Sequence, residues 1–226
     1  MDLIDRPLGQ LARTIPGATR VFHEYNLDFC CGGKQSLRQA AEQKALDPAA
    51  IEGRLLALGS GDGDSRDWTR SSPAELIDHI LVRYHDRHRE QLPELIRLAS
   101  KVEQVHGDRA DCPVGLADLL RGMQQELESH MRKEEQVLFP LLARGHAAMA
   151  EGPITVMRME HDDHGQALQA LAALTHDITL PRAACNTWRA LYLGLAAFRA
   201  DLMEHIHLEN NILFEDAFQA AVPQDV

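Results

Sequence analysis

The feature that most constrains this chain is a motif it carries twice. Residues 129–139 read SHMRKEEQVLF and residues 204–214 read EHIHLENNILF. In register, His130 matches His205, Glu134 matches Glu209, and Leu138-Phe139 matches Leu213-Phe214. Each copy also has an upstream histidine at nearly the same distance. His85 lies 45 residues before His130, and His161 lies 44 before His205. The upstream sites share a local pattern, HDRH at 85–88 and HDDH at 161–164. A half-site of one histidine plus H-x-x-x-E is therefore used twice.

On a helix, residues i and i+4 stand one above the other on the same face. Each H-x-x-x-E thus aims an imidazole and a carboxylate at one point. Taken singly, such a pair reads as a surface contact, and a single buried histidine as a hydrogen-bonded core residue. The matched duplication favours a shared site of His85, His130, Glu134, His161, His205 and Glu209. Six nitrogen and oxygen ligands exceed one tetrahedral zinc site and suit two ions, with carboxylates able to bridge. Imidazole and carboxylate favour iron, manganese or zinc over the sulfur-seeking Cu(I).

The rest of the chain fits a helical frame. Four long helices are predicted: Ser72-Pro73 to about His106, with Pro93 inside it; after Pro113-Val114 to near Gly145; Pro153 to near Asp177; and about Pro181 to near Ala220. Short connections make neighbours antiparallel, giving an all-α, up-down-up-down four-helix bundle over residues 73–226. Residues 1–58 read as a separate module of three to four short helices. Leu8, Leu11 and Ile15 share one helical face. Ala18, Val21, Phe22 and Tyr25 share another, and caps are expected at Ser36 and at Asp47-Pro48. Between the two lies GSGDGDSRDWTRSS at 59–72, which reads as a linker.

Several residues stay open at this level. His88 and His164 lie three residues beyond His85 and His161 and compete as ligands. Glu126 and Glu160 read either as groups that orient ligands or line a route for iron or protons, or as solvated surface. Glu204/His207 and Glu103/His106 form E-x-x-H pairs, but the duplication does not extend to them, so they read as surface. Cys30-Cys31 precede Gly32-Gly33 in a break between helices. Adjacent cysteines rarely bridge one another. The pair reads either as thiols that transiently bind iron, nitric oxide or a partner's sulfur, or as two reduced thiols, one buried and one exposed. Cys112 and Cys185, near helix starts, read as structural.

The formal net charge is -11 with no basic run, which excludes a nucleic-acid stripe. No stretch approaches a membrane span, and the N-terminus lacks a signal-peptide pattern. Four cysteines, two of them adjacent, form no disulfide framework, so a reducing cytoplasm is expected.

IDHILVRYHDRHREQLPEL and HMRKEEQVLFP resemble hemerythrin-like HHE domains, and LDFCCGGKQSL resembles the short N-terminal domain of the RIC family, the YtfE-type di-iron proteins that repair iron–sulfur clusters. The resemblance covers both regions. It implies two non-haem irons, with His85 and His130 on one, His161 and His205 on the other, and Glu134 and Glu209 bridging. It implies a stress-response protein that restores iron–sulfur clusters damaged by nitric oxide or oxidants, acting by iron donation rather than defined turnover. The alternatives are a di-iron enzyme reducing nitric oxide or peroxide, and a module binding NO or O2. The implied partners are damaged iron–sulfur proteins; a homodimer is also allowed. Oxygen-carrying hemerythrins use five histidines, and their H-x-x-x-H helix is represented here by His161 and Gly165, which counts against simple O2 carriage.

Overall fold

The computed structural model describes residues 2–58 and 67–221, with side chains to 217. Residues 59–66 of the expected linker lie outside the described residues. Among those described, the only strand-like feature is an isolated bridge between Pro7 and Ser36.

Four short helices come first: α1 (Leu8–Thr14), α2 (Ala18–Glu24), α3 (Leu37–Gln43) and α4 (Pro48–Leu58). They start where the sequence supplies caps. Ser36 Oγ accepts from Gln39 N–H at 3.2 Å while Gln39 Oε1 accepts from Ser36 N–H at 3.1 Å, a reciprocal box that satisfies two end groups. Asp47 Oδ1 accepts from Ala49 N–H at 3.0 Å ahead of Pro48.

Four long helical stretches follow. The first is α5 (Pro73–Ile80), a π turn at Leu81–His85, and α6 (Asp86–His106). The second is α7 (Leu116–Lys133), a π turn at Glu134–Leu138, and α8 (Phe139–Ala143). The third is α9 (Ala147–Leu174). The fourth is α10 (Asn186–Leu208), a π turn at Glu209–Leu213, and α11 (Phe214–Ala221). The first begins on the expected cap: Ser72 Oγ accepts from Glu75 N–H at 3.3 Å, and Glu75 Oε2 accepts from Ser72 N–H at 3.0 Å.

Two helix starts differ from the expected ones. The third helix starts at Ala147 rather than Pro153, which lies inside it. A proline there lacks only the N–H that would reach Met149, and Met149 is 67% exposed, so water can take the released carbonyl. The fourth helix starts at Asn186 rather than Pro181. Pro181 instead accepts from Ala184 N–H in a turn, at 3.1 Å. Just before it, His176, Asp177 and Ile178 hold φ of 49°, 55° and 55°, and Thr179 N–H closes on the Thr175 carbonyl at 3.1 Å. That left-handed turn ends the third helix.

The chain divides into two compact units, Met1–Leu76 with Met203–Val226, and Ile77–Leu202. In the first, Leu8, Leu11, Phe22, Phe29, Leu37, Ile51 and Leu55 are buried. Each such side chain contributes roughly 1.5–3 kcal/mol on leaving water. In the second, Gly194 of α10 lets Leu95 of α6 pack on helix backbone, where an added Cβ would lie 2.7 Å from Leu95 Cδ2. Glu103 of α6 accepts from Ala117 N–H at 2.8 Å and so caps α7, a role its expected surface position did not include.

Candidate metal centre

Three π turns fall on the motif. Each is closed by an N–H reaching back five residues: Asp86 to the Leu81 carbonyl, Phe139 to Glu134, and Phe214 to Glu209. The extra residue rotates everything beyond it by about 100°. His85 ends the first turn, while Glu134 and Glu209 open the second and third. Such turns recur at functional sites because they re-aim side chains without ending the helix.

In the Ile77–Leu202 unit, His85, His130, Glu134 and His161 come together, all at most 1% exposed. The two oxygens of Glu134 face different rings: Oε2 lies 3.4 Å from His85 Nε2, and Oε1 lies 3.3 Å from His130 Nε2. This is the disposition of a bridging carboxylate. His130 and His161 meet through Nε2 atoms 3.1 Å apart. Two imidazoles at right angles on one ion, each about 2.1 Å from it, would lie about 3.0 Å apart. The ligand atoms of His130, Glu134 and His161 all lie within 4.8 Å of one another. His130 Nε2 therefore lies beside His161 Nε2, while His85 Nε2 faces the other oxygen of Glu134.

Two histidines have their outer nitrogens fixed. His85 Nδ1–H donates to Glu135 at 2.8 Å, and His130 Nδ1–H donates to Glu160 at 2.9 Å. A carboxylate can only accept, so both Nε2 atoms keep a lone pair turned inward. Both carboxylates are backed by cations. Arg89 donates to Glu135 at 2.8 Å and to Glu128 at 2.9 Å, and Lys133 pairs with Glu160. The hydrogen bond from His130, then Lys133, hold the Glu160 carboxyl down at about 2. Phe139 stacks on the His85 ring, centroids 5.7 Å apart.

In the other unit, His205 Nε2 lies 3.0 Å from Glu209 Oε1, both at most 1% exposed. Fully buried carboxylates facing imidazole nitrogens are costly without a compensating cation. With nitrogen and oxygen donors only, they fit a hard or borderline divalent ion.

His88 and His164 are buried, but neither joins the clusters found among the described residues. His88 Nδ1 lies 3.3 Å from Gln91, which donates to Asp201. Glu126 is exposed on a groove it shares with Ser129, Lys133, Glu160 and His164. Glu135 was missed at the sequence level, although the doubled acid Glu134-Glu135 marks it.

His207, expected on the surface, is 2% exposed. Burial, then Arg13 and His23, push its pKa down to about 3, so it stays neutral. Its Nδ1 accepts from Asn211 Nδ2 at 2.9 Å, and its ring meets Phe29 edge-on. Asn211 also donates to the Phe29 carbonyl, and Asn210 to the Cys30 carbonyl, each at 3.3 Å. The Cys30 loop is thus tied to the Glu209 π turn. Cys30 and Cys31 carry thiols, the first buried and the second half-buried. The contact with Cys31, then burial, raise the Cys30 thiol well above its ordinary range. Cys185, expected to be structural, is exposed and lies 3.3 Å from His106 Nε2.

The sequence matches the hemerythrin HHE cation binding domain over residues 76–217 and the ScdA_N domain, a domain of unknown function, over residues 4–59. A protein of Dickeya chrysanthemi named iron-sulfur cluster repair protein YtfE is 54% identical over 95% of this chain and 97% of its own length. A probable iron-sulfur cluster repair protein of Haemophilus influenzae is also 54% identical, over the same shares. A YtfE of Yersinia pseudotuberculosis is 53% identical over 97% of this chain and 99% of its own. This chain is thus a hemerythrin HHE cation-binding protein and, within that class, belongs to the YtfE family of iron–sulfur cluster repair proteins. No helix among the described residues is long and apolar enough to cross a membrane.

Proposed function

We propose that the chain repairs iron–sulfur clusters damaged by nitric oxide or oxidants, holding two irons on His85, His130, Glu134, His161, His205 and Glu209. The observation that carries this reading is Glu134, a fully buried carboxylate that turns one oxygen to His85 and the other to His130. His130 and His161 would hold one ion. By the duplication, His85 and His205 would hold the other, with Glu134 and Glu209 bridging. Bound there, iron supplies labile metal for a damaged cluster. The protein's own part is to present Nε2 lone pairs, fixed from behind by Glu135 and Glu160, and to balance charge with two carboxylates.

The partners on this reading are damaged iron–sulfur proteins in the cytoplasm, and Cys30 and Cys31 take part in the transfer. Nitric oxide reduction is the second reading. It is favoured by Gly165, which has no side chain one helical turn beyond His161.

The test is to load the full chain with iron and mix it with an iron–sulfur enzyme stripped of labile iron. Mössbauer spectroscopy should show a coupled iron pair before mixing, and iron in the client cluster afterwards. Iron that stays on the bundle while nitric oxide is consumed catalytically would replace donation by the second reading. A single zinc in the native protein would remove both.

A further inference from the structure

The loop between α2 and α3 has a geometry the six-ligand bundle does not use. Cys30 Sγ lies 3.5 Å from Cys31 Sγ and 3.3 Å from Asp28 Oδ1. Ligand atoms of Asp28, Cys30 and Cys31 all fall within 4.8 Å of one another. For a tetrahedral ion with metal–sulfur bonds of about 2.3 Å and metal–oxygen bonds of about 2.1 Å, the sulfur–sulfur edge is about 3.8 Å and the sulfur–oxygen edge about 3.6 Å. The observed edges are within about 0.3 Å of both.

The carboxylate is held there by backbone. Asp28 Oδ1 accepts from Cys31 N–H at 2.9 Å and Cys30 N–H at 3.2 Å. The loop is also closely packed at its two glycines. An added Cβ at Gly32 would lie 3.1 Å from Asp28 Oδ2, and one at Gly33 would lie 2.6 Å from the Phe29 carbonyl oxygen. From the other side, Asn210 and Asn211 anchor the loop carbonyls to the π turn that opens on Glu209.

We infer that Asp28, Cys30 and Cys31 form a second, three-ligand site for a thiophilic divalent cation such as Fe(II), Zn(II) or Co(II), with one coordination position left for a ligand from another molecule. Binding converts two thiols to thiolates and releases their two protons to solvent, with no change in oxidation state. Two thiolates and one carboxylate neutralise the ion with one charge to spare, and a half-buried Cys31 leaves the fourth position reachable. This deepens the repair reading, since an open three-ligand site suits an ion in passage between proteins.

The test uses Co(II) and the full chain under a phosphine reductant. Thiolate coordination gives a near-ultraviolet charge-transfer band that imidazole and carboxylate ligands do not. The wild type should show this band. The double variant Cys30→Ser/Cys31→Ser should lose it, and Asp28→Asn should weaken the site roughly tenfold, the cost of one charged ligand. The double variant Glu134→Ala/Glu209→Ala should keep the band, so failure of the bundle reading is seen separately. Absence of the band in a wild type whose circular dichroism shows it folded would overturn the proposal. So would a band indifferent to Asp28→Asn.

Discussion

The two copies of H-x-x-x-E share a backbone and differ in everything around it. In both, the glutamate opens a π turn that a buried phenylalanine closes, Phe139 in one and Phe214 in the other. Beyond that, the first copy is charged. Lys133 and Glu135 flank Glu134, and they serve Glu160 and the His85 ring. At the matching positions the second copy carries Leu208 and Asn210, followed by Asn211. Its amides reach the Phe29 and Cys30 carbonyls, and its His207, where the first copy has Arg132, is buried rather than solvated. The residues the two copies keep are the histidine, the glutamate and the Leu-Phe pair. The outward residues differ in what they touch: Glu135 meets the His85 ring, whereas Asn210 and Asn211 meet the Cys30 and Phe29 carbonyls.

That comparison can be broken in order of effect. Glu134→Ala and Glu209→Ala should each strip most bound iron while helix content by circular dichroism survives. Full iron in either variant would end the equivalence of the two copies. Glu135→Gln and Glu160→Gln should weaken metal binding by roughly 10–100-fold, since each leaves a ligand histidine less firmly oriented. Asn210→Ala, at the position matching Glu135, should leave affinity nearly unchanged; a loss as large as for Glu135→Gln would mean the outward faces are not specialised. Asn211→Ala removes the donor to Phe29 and His207 and should cost about 1–3 kcal/mol in urea unfolding.

The smallest effect is in pH. Folded His207 sits at about 3 against 6.5, so the folded state takes up fewer protons than the unfolded one below 6.5. Its contribution is present above 6.5 and fades as pH falls toward 3. Glu160 sits at about 2 against 4.5, so its contribution is present above 4.5 and fades toward 2. Metal-free protein titrated with acid should therefore lose stability first through the second copy, then through the first. His207→Gln should flatten only the earlier loss. An unchanged early loss would assign it elsewhere.

The helices and caps were legible because they rest on local signals: Ser36, Asp47 and Ser72 each stand where a helix begins. The six candidate ligands were legible through repetition. The same reliance on repetition misplaced His207, since a position that serves only one copy looks functionless when judged by the other. Pro153 misled because a proline marks a helix start and a tolerated interior break alike. The closeness of His130 to His161 depends on where each ring is turned within the packed helices, and chain spacing does not encode that. The π turns were invisible because the residues within them keep ordinary helical character; only the hydrogen bond to the fifth neighbour distinguishes them.

Those turns also set the phase of the helices beyond them. A helix gains a π turn when one residue is inserted into it. The insertion stands at the same place in both copies, between the glutamate and the phenylalanine, in segments whose other residues have drifted apart. The upstream half-sites do not share it: a π turn ends on His85 in the first helix, whereas the third runs unbroken through His161. In each copy the bend lies between the glutamate and the phenylalanine, so the carboxylate and the aromatic ring keep the same phase relative to one another.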